Sequence, residues 1–474
     1  MRGLSFRHGV HPPELKGLTA GVAVRRLPFP DQVVLPLSQH FGAPARVLVK
    51  PGDRVERGDK IGEANGKFSA PVHASASGVV EEVGLWPHPN GEHAEAVRIR
   101  VDPWSAQAPR PRLVPEWQDL SPAELVAAVR DAGVVGLGGA AFPTHVKLVA
   151  PEGTDVETVI LNGCECEPYL TTDHRTMVEH PERVLLGLRI IMRCLGARRA
   201  IVGIERNKPD AIERIRAALP EDLDVEVLPL TVKYPQGAEK MLIKAVLGRE
   251  VPPGRYPVDV GVLVQNVASA ATIAEAFETG LPLIERIVTV TGKGVRRPGN
   301  FIVPVGTLLE DLLAACGGLT DDAREIVFGG PMMGTAQGDV RVPILKGTTG
   351  VVVLTDDEVK GRGSYPCIKC GHCLEACPVY LNPQLLGSLA RAQRWSEMEK
   401  HALDVCMLCG CCSYVCPSNI PLSQTFALAK RAAQSGANEP RPVLIKPQKD
   451  LSGLVWFIIL AVIILVVVFY IASR

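Results

Sequence analysis

The middle of the chain alternates between two hydrophobic patterns. Helical periodicity runs over residues 181–195 and 209–218, and short apolar runs rich in Val and Ile stand at 199–204, 224–228 and 258–264. Apolar residues at i, i+3 and i+4 predict helices, and short β-branched runs predict strands. Strands that alternate with helices of this length predict a parallel sheet with crossover helices, so we expect an α/β domain here.

The N-terminal pattern consists of short β-runs instead. Residues 1–32, rich in Pro and Gly, predict an extended arm, and residues 33–101 carry β-branched runs between turns marked by Gly and Asp. These runs resemble the barrel-sandwich fold of lipoyl and biotinyl carriers. Those carriers present a lysine for modification on a hairpin, but the neighbours of Lys67, near the corresponding turn, do not match the carrier motif. We therefore expect a structural or docking module.

The last apolar segment is longer than the others. Residues 451–473 contain no charged residue, and a helix of this length can cross a bilayer. A helix buried in a protein core is the alternative, but a long uncharged run at the end of the sequence favours a membrane span. Lys446 and Lys449 precede the run and predict that the main body lies on the cytoplasmic side.

Composition narrows the class of protein. The chain has 474 residues, which predicts several domains. Its 51 basic and 51 acidic residues balance and no long basic run is present, so nucleic acid is not an expected partner. The chain also has 13 cysteines, most of them in the metal-ligand spacing described next, and this usage predicts a reducing compartment.

Eight cysteines form one motif that occurs twice. Each copy reads C-x2-C-x2-C-x3-C-P, once over residues 367–378 and once over 406–417. Three cysteines at this interval ligate one iron–sulfur cubane from a tight loop, and the fourth, next to proline, ligates the other cluster. The first cluster is expected on Cys367, Cys370, Cys373 and Cys416. The second is expected on Cys377, Cys406, Cys409 and Cys412, and Cys411 falls outside the spacing.

Zinc and disulfides are the alternative uses of these cysteines. Zinc sites usually show paired CxxC units with four ligands each and no trailing proline, and disulfides need an oxidising compartment. Two complete copies of an eight-ligand pattern favour two 4Fe-4S clusters instead. The segment is then expected to carry electrons one at a time.

A glycine-rich stretch follows the first predicted helix of the α/β region. It contains Gly136, Gly138 and Gly139, followed by Phe142 and Lys147. Glycines leave room for backbone N–H groups to approach a flat or anionic ligand, while Phe142 adds a stacking face and Lys147 a cation. A connector packed against a helix is the alternative, because a glycine-rich loop is a weak motif by itself.

Polar residues follow the predicted strand at 157–161. They are Asn162, Glu165 and Glu167, with Cys164 and Cys166 between them. An α/β sheet places its ligand at the carboxyl ends of its strands, so these residues are site candidates. The two carboxylates are expected either to bind ribose or hold water near a ligand, or to be solvated loop side chains.

These features together resemble the RnfC family, whose members belong to the Rnf complex, a membrane-bound NADH–ferredoxin oxidoreductase. By way of the RnfC family, the chain also resembles the NADH- and FMN-binding subunit of respiratory complex I. Residues 8–16 are similar to the opening of RnfC, and residues 138–144 stand where both families carry a flavin-binding glycine loop. Residues 162–168 match the segment beside the flavin, although complex I has an aspartate at the position of Cys164. The resemblance implies further flavin and nicotinamide contacts at Tyr234, Gly237, Glu239 and Asn266.

The resemblance covers nearly the whole chain and implies a multidomain α/β protein. The expected parts are an N-terminal arm (1–32), a barrel-sandwich module (33–101), an FMN- and NADH-binding α/β domain (119–280), a β-grasp module (286–353), a helical ferredoxin domain with two 4Fe-4S clusters (360–436) and a transmembrane helix (451–473). The last part departs from the family, whose members are generally peripheral.

The resemblance also implies a function. A non-covalent FMN would accept hydride from NADH and release single electrons, and the two clusters would lead them away without an acid–base catalyst. The expected partners are the Rnf-type subunits B, D, G, A and E, with ferredoxin reached indirectly, at the cell (inner) membrane.

Two alternatives are considered. One is a stand-alone NADH–flavin–iron–sulfur reductase, similar to the cobalamin reductase of propanediol-degrading organelles, which carries these modules in another order. The other is a relay protein that has lost its flavin and only bridges partners. The N-terminal barrel-sandwich module favours the Rnf family over the first.

Overall fold

The computed structural model describes residues 4–109, 111, 116–359 and 363–434. The predicted membrane span at 451–473, with Lys446 and Lys449 before it, lies outside the described residues. Within the described ranges, no helix combines the length and the apolar character needed to cross a bilayer.

The N-terminal arm and the barrel-sandwich module supply the first eight strands. They are β1 (Arg25–Arg26), β2 (Gln32–Pro36), β3 (Arg46–Val47), β4 (Arg54–Val55), β5 (Lys60–Glu63), β6 (Val72–His73), β7 (Gly78–Pro87) and β8 (His93–Val101). One sheet has the order β2-β8-β7-β4, and a second has the order β3-β5-β6. Apolar side chains of both sheets, among them Val33, Ile61 and Ile99, are fully buried in one core. The module is therefore a sandwich whose two sheets share their apolar faces.

The next region folds as the parallel α/β unit that the alternating pattern predicts. Its elements are α1 (Pro122–Asp131), α2 (Thr144–Lys147), β9 (Thr158–Gly163), α3 (Thr172–Glu179), α4 (Pro181–Leu195), β10 (Arg199–Glu205), α5 (Pro209–Ala217), β11 (Val225–Leu230), α6 (Glu239–Leu247), β12 (Val262–Asn266) and α7 (Val267–Thr279). The strand order is β11-β10-β9-β12, and each neighbouring pair is parallel. Strands β9 and β12 therefore present their carboxyl ends at the same edge.

Strand β12 begins later than the apolar run predicts. Residues Pro257–Val260 form a 3-10 turn, and Gly261 ends it with a φ of 72°. Proline fixes its own φ near the helical value and cannot donate to a strand ladder, so it favours this turn over an early start of the strand.

The β-grasp region forms a six-stranded sheet with the order β1-β14-β13-β17-β15-β16. Its elements are β13 (Glu285–Thr291), β14 (Gly299–Pro304), α8 (Leu309–Ala315), β15 (Ala323–Phe328), β16 (Thr335–Ala336), β17 (Gly350–Thr355) and α9 (Asp356–Val359). Strand β1 pairs parallel to β14. The N-terminal arm is therefore more than the extended segment expected from its composition, because it adds an edge strand to a distant sheet.

The last described region is helical. It contains α10 (His372–Ala376), α11 (Pro383–Arg391), α12 (Trp395–Lys400), α13 (Cys411–Tyr414) and α14 (Leu422–Gln434), with a 3-10 turn at Leu403–Val405. The sequence predicts helical structure from Leu385 to Leu403, but the helix breaks between α11 and α12, where Gln393 has a φ of 53°. Buried Leu386, Met398 and Phe426 hold these helices in one small core.

Candidate flavin site and iron–sulfur centres

The glycine loop is a closed turn held against helix α7. The Gly136 N–H donates to the Phe142 carbonyl (2.8 Å), and the Leu137 N–H donates to the Ser269 hydroxyl (2.8 Å). Between these anchors, Gly138 and Gly139 are exposed, and a side chain at Gly139 would meet no heavy atom within 4 Å. The loop therefore leaves open backbone surface, which is what a close approach by a flat or phosphorylated ligand requires.

Two asparagines place this loop at the carboxyl edge of the sheet. Asn162 at the end of β9 pairs in register with Asn266 at the end of β12. The Asn266 side chain caps α7 by accepting from the Ala268 N–H (2.9 Å). A methyl group added to Gly138 would lie 3.2 Å from Asn266 Nδ2, so the loop lies directly against this cap. The structure thus brings the glycine loop to the edge of the sheet that was predicted to bind the ligand.

Asn162 also ties the sheet edge to the segment around Gly237. Its Nδ2 donates to the Gly237 carbonyl (2.8 Å), and its Oδ1 accepts from the Cys164 N–H (3.0 Å). A side chain at Gly237 would collide with the Cys164 carbonyl oxygen. Glycine is therefore required at position 237 by the close approach of two protein segments.

Lys147 and Glu239 form an ion pair. The Lys147 ammonium lies 2.7 Å from Glu239 Oε1 and donates to the Val264 carbonyl (3.2 Å). Both side chains are half-buried, at 29% and 34% exposure. The predicted cation of the loop therefore has an anionic partner at the start of α6, and both groups lie beside strand β12.

Glu165 has a structural role in this arrangement. Its carboxylate is buried and accepts from the Asp173 N–H (2.9 Å) and the Thr172 hydroxyl (3.1 Å) in the first turn of α3. The Lys16 ammonium lies 3.9 Å away and donates to the Glu165 carbonyl (2.8 Å). The carboxylate thus stabilises a helix N-terminus and a contact with the N-terminal arm.

Glu167 connects the α/β domain to the β-grasp region. Its two oxygens accept from the Met332 N–H (3.1 Å) and the Met333 N–H (3.0 Å), and the Tyr234 hydroxyl lies 3.4 Å away. Burial raises the pKa of Glu167 to about 7, against the lowering effect of the two N–H donors. The geometry assigns this carboxylate to a domain contact.

Tyr234 reaches the second cysteine loop. Its hydroxyl donates to the Cys409 carbonyl (2.8 Å), and the side chain is only 1% exposed. It packs with Cys166, Cys411 and Met332 in one buried cluster. The α/β domain and the helical domain are thus in direct contact at one of the predicted iron–sulfur loops.

Phe142 packs against aromatic residues of the barrel-sandwich module. Its ring stacks on Phe41 with centroids 5.7 Å apart and meets the edge of Phe68 at 6.0 Å. The Phe41 N–H also donates to the Ala141 carbonyl (3.1 Å). Neither Phe41 nor Phe68 was a sequence candidate, because they lie about 100 and 70 residues before the loop and belong to another module.

Asp173 is a third residue that sequence reasoning missed. Its carboxylate accepts from Asn266 Nδ2 (2.7 Å), directly behind the glycine loop. Burial, together with the nearby Glu165 charge, raises the pKa of Asp173 to about 7. The only signal in the sequence was its position one residue into a helix that starts near the sheet edge.

The eight motif cysteines line two separate cavities. Cys416 lies with Cys367, Cys370 and Cys373 around one cavity. Cys377 lies with Cys406, Cys409 and Cys412 around the other, which Cys411 also lines. Each cavity thus combines three cysteines of one motif copy with the last cysteine of the other copy, as a pair of cubanes with exchanged fourth ligands requires. Among the described residues, no group of three or more His, Cys, Asp or Glu side chains is placed so that it could hold a single metal ion.

The residues present fit the groups that this architecture implies. A parallel sheet with an open glycine loop at its carboxyl edge suits a flavin, and each four-cysteine cavity suits a cubane. These are the features of an electron-transfer protein of the flavin and iron–sulfur class.

Family models match four consecutive parts of the chain. The RnfC barrel sandwich hybrid domain matches residues 4–103, the Nuo51 FMN-binding domain 129–275, the SLBB domain 287–336 and the 4Fe-4S dicluster domain 363–420. The protein is therefore multidomain, with a barrel-sandwich domain, an FMN-binding domain, a β-grasp module of the SLBB type and a dicluster domain.

Curated relatives extend this match to most of the chain. The C subunit of the proton-translocating ferredoxin:NAD(+) oxidoreductase complex of Clostridium ljungdahlii is 44% identical over 84% of this chain and 86% of its own length. The C subunit of the Na(+)-translocating counterpart from Acetobacterium woodii is 42% identical over 84% and 90%. The C subunit of the ion-translocating oxidoreductase complex of Rhodobacter capsulatus is 43% identical over 91% and 83%. The chain belongs to the RnfC family, the C subunits of ion-translocating oxidoreductase complexes.

Proposed function

We propose that this chain is the NADH-oxidising, electron-input subunit of a membrane-bound ion-translocating NADH–ferredoxin oxidoreductase. It would pass electrons from NADH through FMN and two 4Fe-4S clusters to its partner subunits. The observation that carries the proposal is the contact of the Tyr234 hydroxyl with the Cys409 carbonyl at 2.8 Å, since it joins the FMN-binding domain to a cysteine loop. Membership of the RnfC family supports the same function.

We assign FMN binding to the glycine loop and the adjoining sheet edge. The residues proposed to hold the flavin and the nicotinamide are Gly136, Gly138, Gly139, Phe142, Lys147, Asn162, Glu165, Glu167, Tyr234, Gly237, Glu239 and Asn266. Of these, the loop glycines are direct-contact candidates, because Gly138 and Gly139 are exposed. Asn162, Asn266, Glu165, Glu167 and Tyr234 support that face indirectly, because their polar atoms are engaged in contacts within the protein.

A bound FMN supplies the conversion between two-electron hydride chemistry and single-electron transfer. The chain would position the FMN. Gly138 and Gly139 offer backbone N–H groups, and the Lys147–Glu239 pair keeps a cation beside strand β12. No acid–base catalyst is required of the protein. The eight motif cysteines, grouped as they line the two cavities, are the proposed cluster ligands.

A visible spectrum of the purified protein, recorded anaerobically before and after NADH, tests this function. We expect flavin and iron–sulfur absorption that NADH bleaches. Dithionite is the control, because it reduces clusters without the flavin site. A protein whose clusters respond to dithionite but not to NADH would be the flavin-less relay protein instead.

The proposed partners are the other Rnf-type subunits, B, D, G, A and E, with ferredoxin reached through them. The complex is membrane-bound, and we place the main body of this chain on the cytoplasmic side of the cell (inner) membrane. We also keep the domain limits 1–32, 33–101, 119–280, 286–353, 360–436 and 451–473 as proposals. The apolar run at 451–473 is the proposed direct anchor.

Truncation after Gln448 is expected to weaken membrane attachment without affecting NADH oxidation. The run it removes carries no charge, and each central Leu, Ile, Val or Phe favours insertion by roughly 0.3 to 0.6 kcal/mol. The proposed flavin and cluster sites all precede the cut. Carbonate extraction of membranes from cells that express this chain alone measures attachment, and NADH–ferricyanide reduction measures the remaining activity.

A lysine in the middle of the run is a second variant, which keeps the full length. Ile464→Lys costs about 2.5 to 3.5 kcal/mol at the centre of a span, so it should weaken attachment, but less than truncation does. Release of the unaltered chain by carbonate would show that the run is not a span.

A further inference from the structure

The two cysteine loops of the helical domain have opposite surroundings. The inner loop, Cys406–Cys412, is covered: Cys409 and Cys412 are 9% and 8% exposed. The outer loop, Cys367–Cys373, is open, and Cys370 is exposed. This difference gives the domain an inner end and an outer end.

The inner end is closed by the domain proposed to supply the electrons. Tyr234 donates to the Cys409 carbonyl at 2.8 Å. A side chain at Gly410, whose φ is 79°, would collide with the Met332 carbonyl oxygen, so the backbone of the β-grasp region also meets the inner loop there. At Cys409 and Gly410 the inner loop is therefore in contact with protein and not with solvent.

The N-terminal arm closes the same side further. The Gly9 N–H donates to the Ala376 carbonyl (3.1 Å), and the Val10 N–H donates to the Tyr234 carbonyl (2.8 Å). The His8 ring meets the edge of Tyr380 at 4.7 Å. The arm thus crosses from the α/β domain to the helical domain beside the inner loop.

The outer end is exposed, apolar and basic. Ile368 is 68% exposed and Tyr365 is 64% exposed. Lys369 and Arg391 line the cavity of the outer cysteines, and no Asp or Glu is among the described residues of its lining. Within the described part of the chain, neither cation forms an ion pair. An exposed apolar centre with unpaired cations at its rim is complementary to a protein face with acidic side chains.

We propose that the outer loop, with Tyr365, Ile368, Lys369 and Arg391, is the surface on which a protein electron acceptor with an acidic contact face docks. The inference rests on the proposed function, because oxidation of one NADH to NAD+ and a proton releases two electrons that must leave the chain. The acceptor is a one-electron redox protein, and two reductions of it balance each NADH. Since the inner end is covered by the neighbouring domains and the arm, delivery takes place at the outer end.

Charge reversal at this surface tests the proposal in the complete membrane complex. Lys369→Glu combined with Arg391→Glu is expected to slow NADH-driven electron delivery to the partner subunits by about tenfold or more at low salt. The deficit should narrow as salt rises, because screening removes the added repulsion, whereas a changed cluster potential would persist. NADH–ferricyanide reduction, which draws electrons at the flavin site, should stay as in the unaltered chain, and EPR of the reduced protein checks that the outer cluster is still assembled. Arg198→Glu, an exposed reversal in the α/β domain, is the matched control and should change nothing.

A photo-cross-linking amino acid at position 368 gives a readout independent of activity. We expect a cross-link to one protein subunit of the complex, and its loss when Lys369→Glu and Arg391→Glu are added. The same probe at position 85, where the native Leu85 is 71% exposed in the barrel-sandwich module, is the reference.

Two outcomes would overturn the docking surface: a cross-link from position 368 to lipid alone, or delivery unaffected by the double reversal. A failure of the proposed function looks different. In that case the unaltered complex shows no NADH–ferricyanide reaction, while the cross-link from position 368 still forms and still depends on Lys369 and Arg391.

Discussion

Replacing Cys377 with serine is expected to remove the cluster of the inner loop and to leave the outer one intact. Cys377 follows the outer cysteines in sequence, but it lines the cavity of Cys406, Cys409 and Cys412. Loss of one thiolate from a four-ligand site destabilises that cubane, whereas the outer cavity keeps its four cysteines. Iron content should fall from about eight to about four atoms per chain. EPR of the dithionite-reduced protein identifies the cluster that remains.

Two further variants test which cysteines ligate which cluster. Cys416→Ser should have the mirror effect, because Cys416 lines the outer cavity. Cys411→Ser is the matched control: Cys411 is buried beside Cys409 but falls outside the motif spacing, so both clusters should survive. An outer cluster lost in Cys377→Ser, with the inner one intact, would refute the exchanged fourth ligands.

Replacing Gly138 with tryptophan is expected to abolish FMN binding. The loop leaves its backbone open at this point, and even a methyl group at Gly138 would lie 3.2 Å from Asn266 Nδ2. An indole there fills the space that the ligand needs. Flavin content, measured by fluorescence after acid release, should fall to less than about a tenth of the unaltered value, because the obstruction is steric and not a matter of one contact. NADH should then no longer reduce the clusters.

The clusters themselves should persist in this variant, since their cysteines lie in another domain. Gly338→Trp is the matched control: Gly338 is exposed in the β-grasp region, and a side chain there meets no atom within 4 Å. Gly138→Ala should give an intermediate loss. Full flavin content and normal NADH reduction in Gly138→Trp would show that the loop is not the flavin site.

Local signals in the sequence account for the parts of the fold that were predicted well. Helix α4 spans Pro181–Leu195 as expected, because its apolar period runs from a proline at the first turn to a glycine just past the end. The parallel sheet followed from the alternation of such helices with β-branched runs. Cys416 and Cys377 line exchanged cavities, and their role as exchanged cluster ligands stays a prediction from the motif spacing.

Contacts between distant segments account for what the sequence did not reveal. Strand β1 pairs with β14, 276 positions later in the sequence, and its two arginines carry no strand pattern. Glu165 and Glu167 look alike in the sequence, yet one caps α3 and the other binds the backbone of Met332 and Met333. Such roles depend on which segments meet in three dimensions, and hydrophobic periodicity does not record that.

The N-terminal arm has a consequence for how the chain is made. Its contacts at His8 and Gly9 are with residues 375 and 376, a separation of 367 positions. During synthesis the arm emerges well before its partner in the helical domain, and closing so long a loop is slow. The contacts of the arm with the helical domain therefore form only after the 367 positions between them have been made. Because Tyr234 and the arm meet the helical domain beside the inner cysteine loop only when these distant segments come together, we expect a cluster to enter that loop before the domains close.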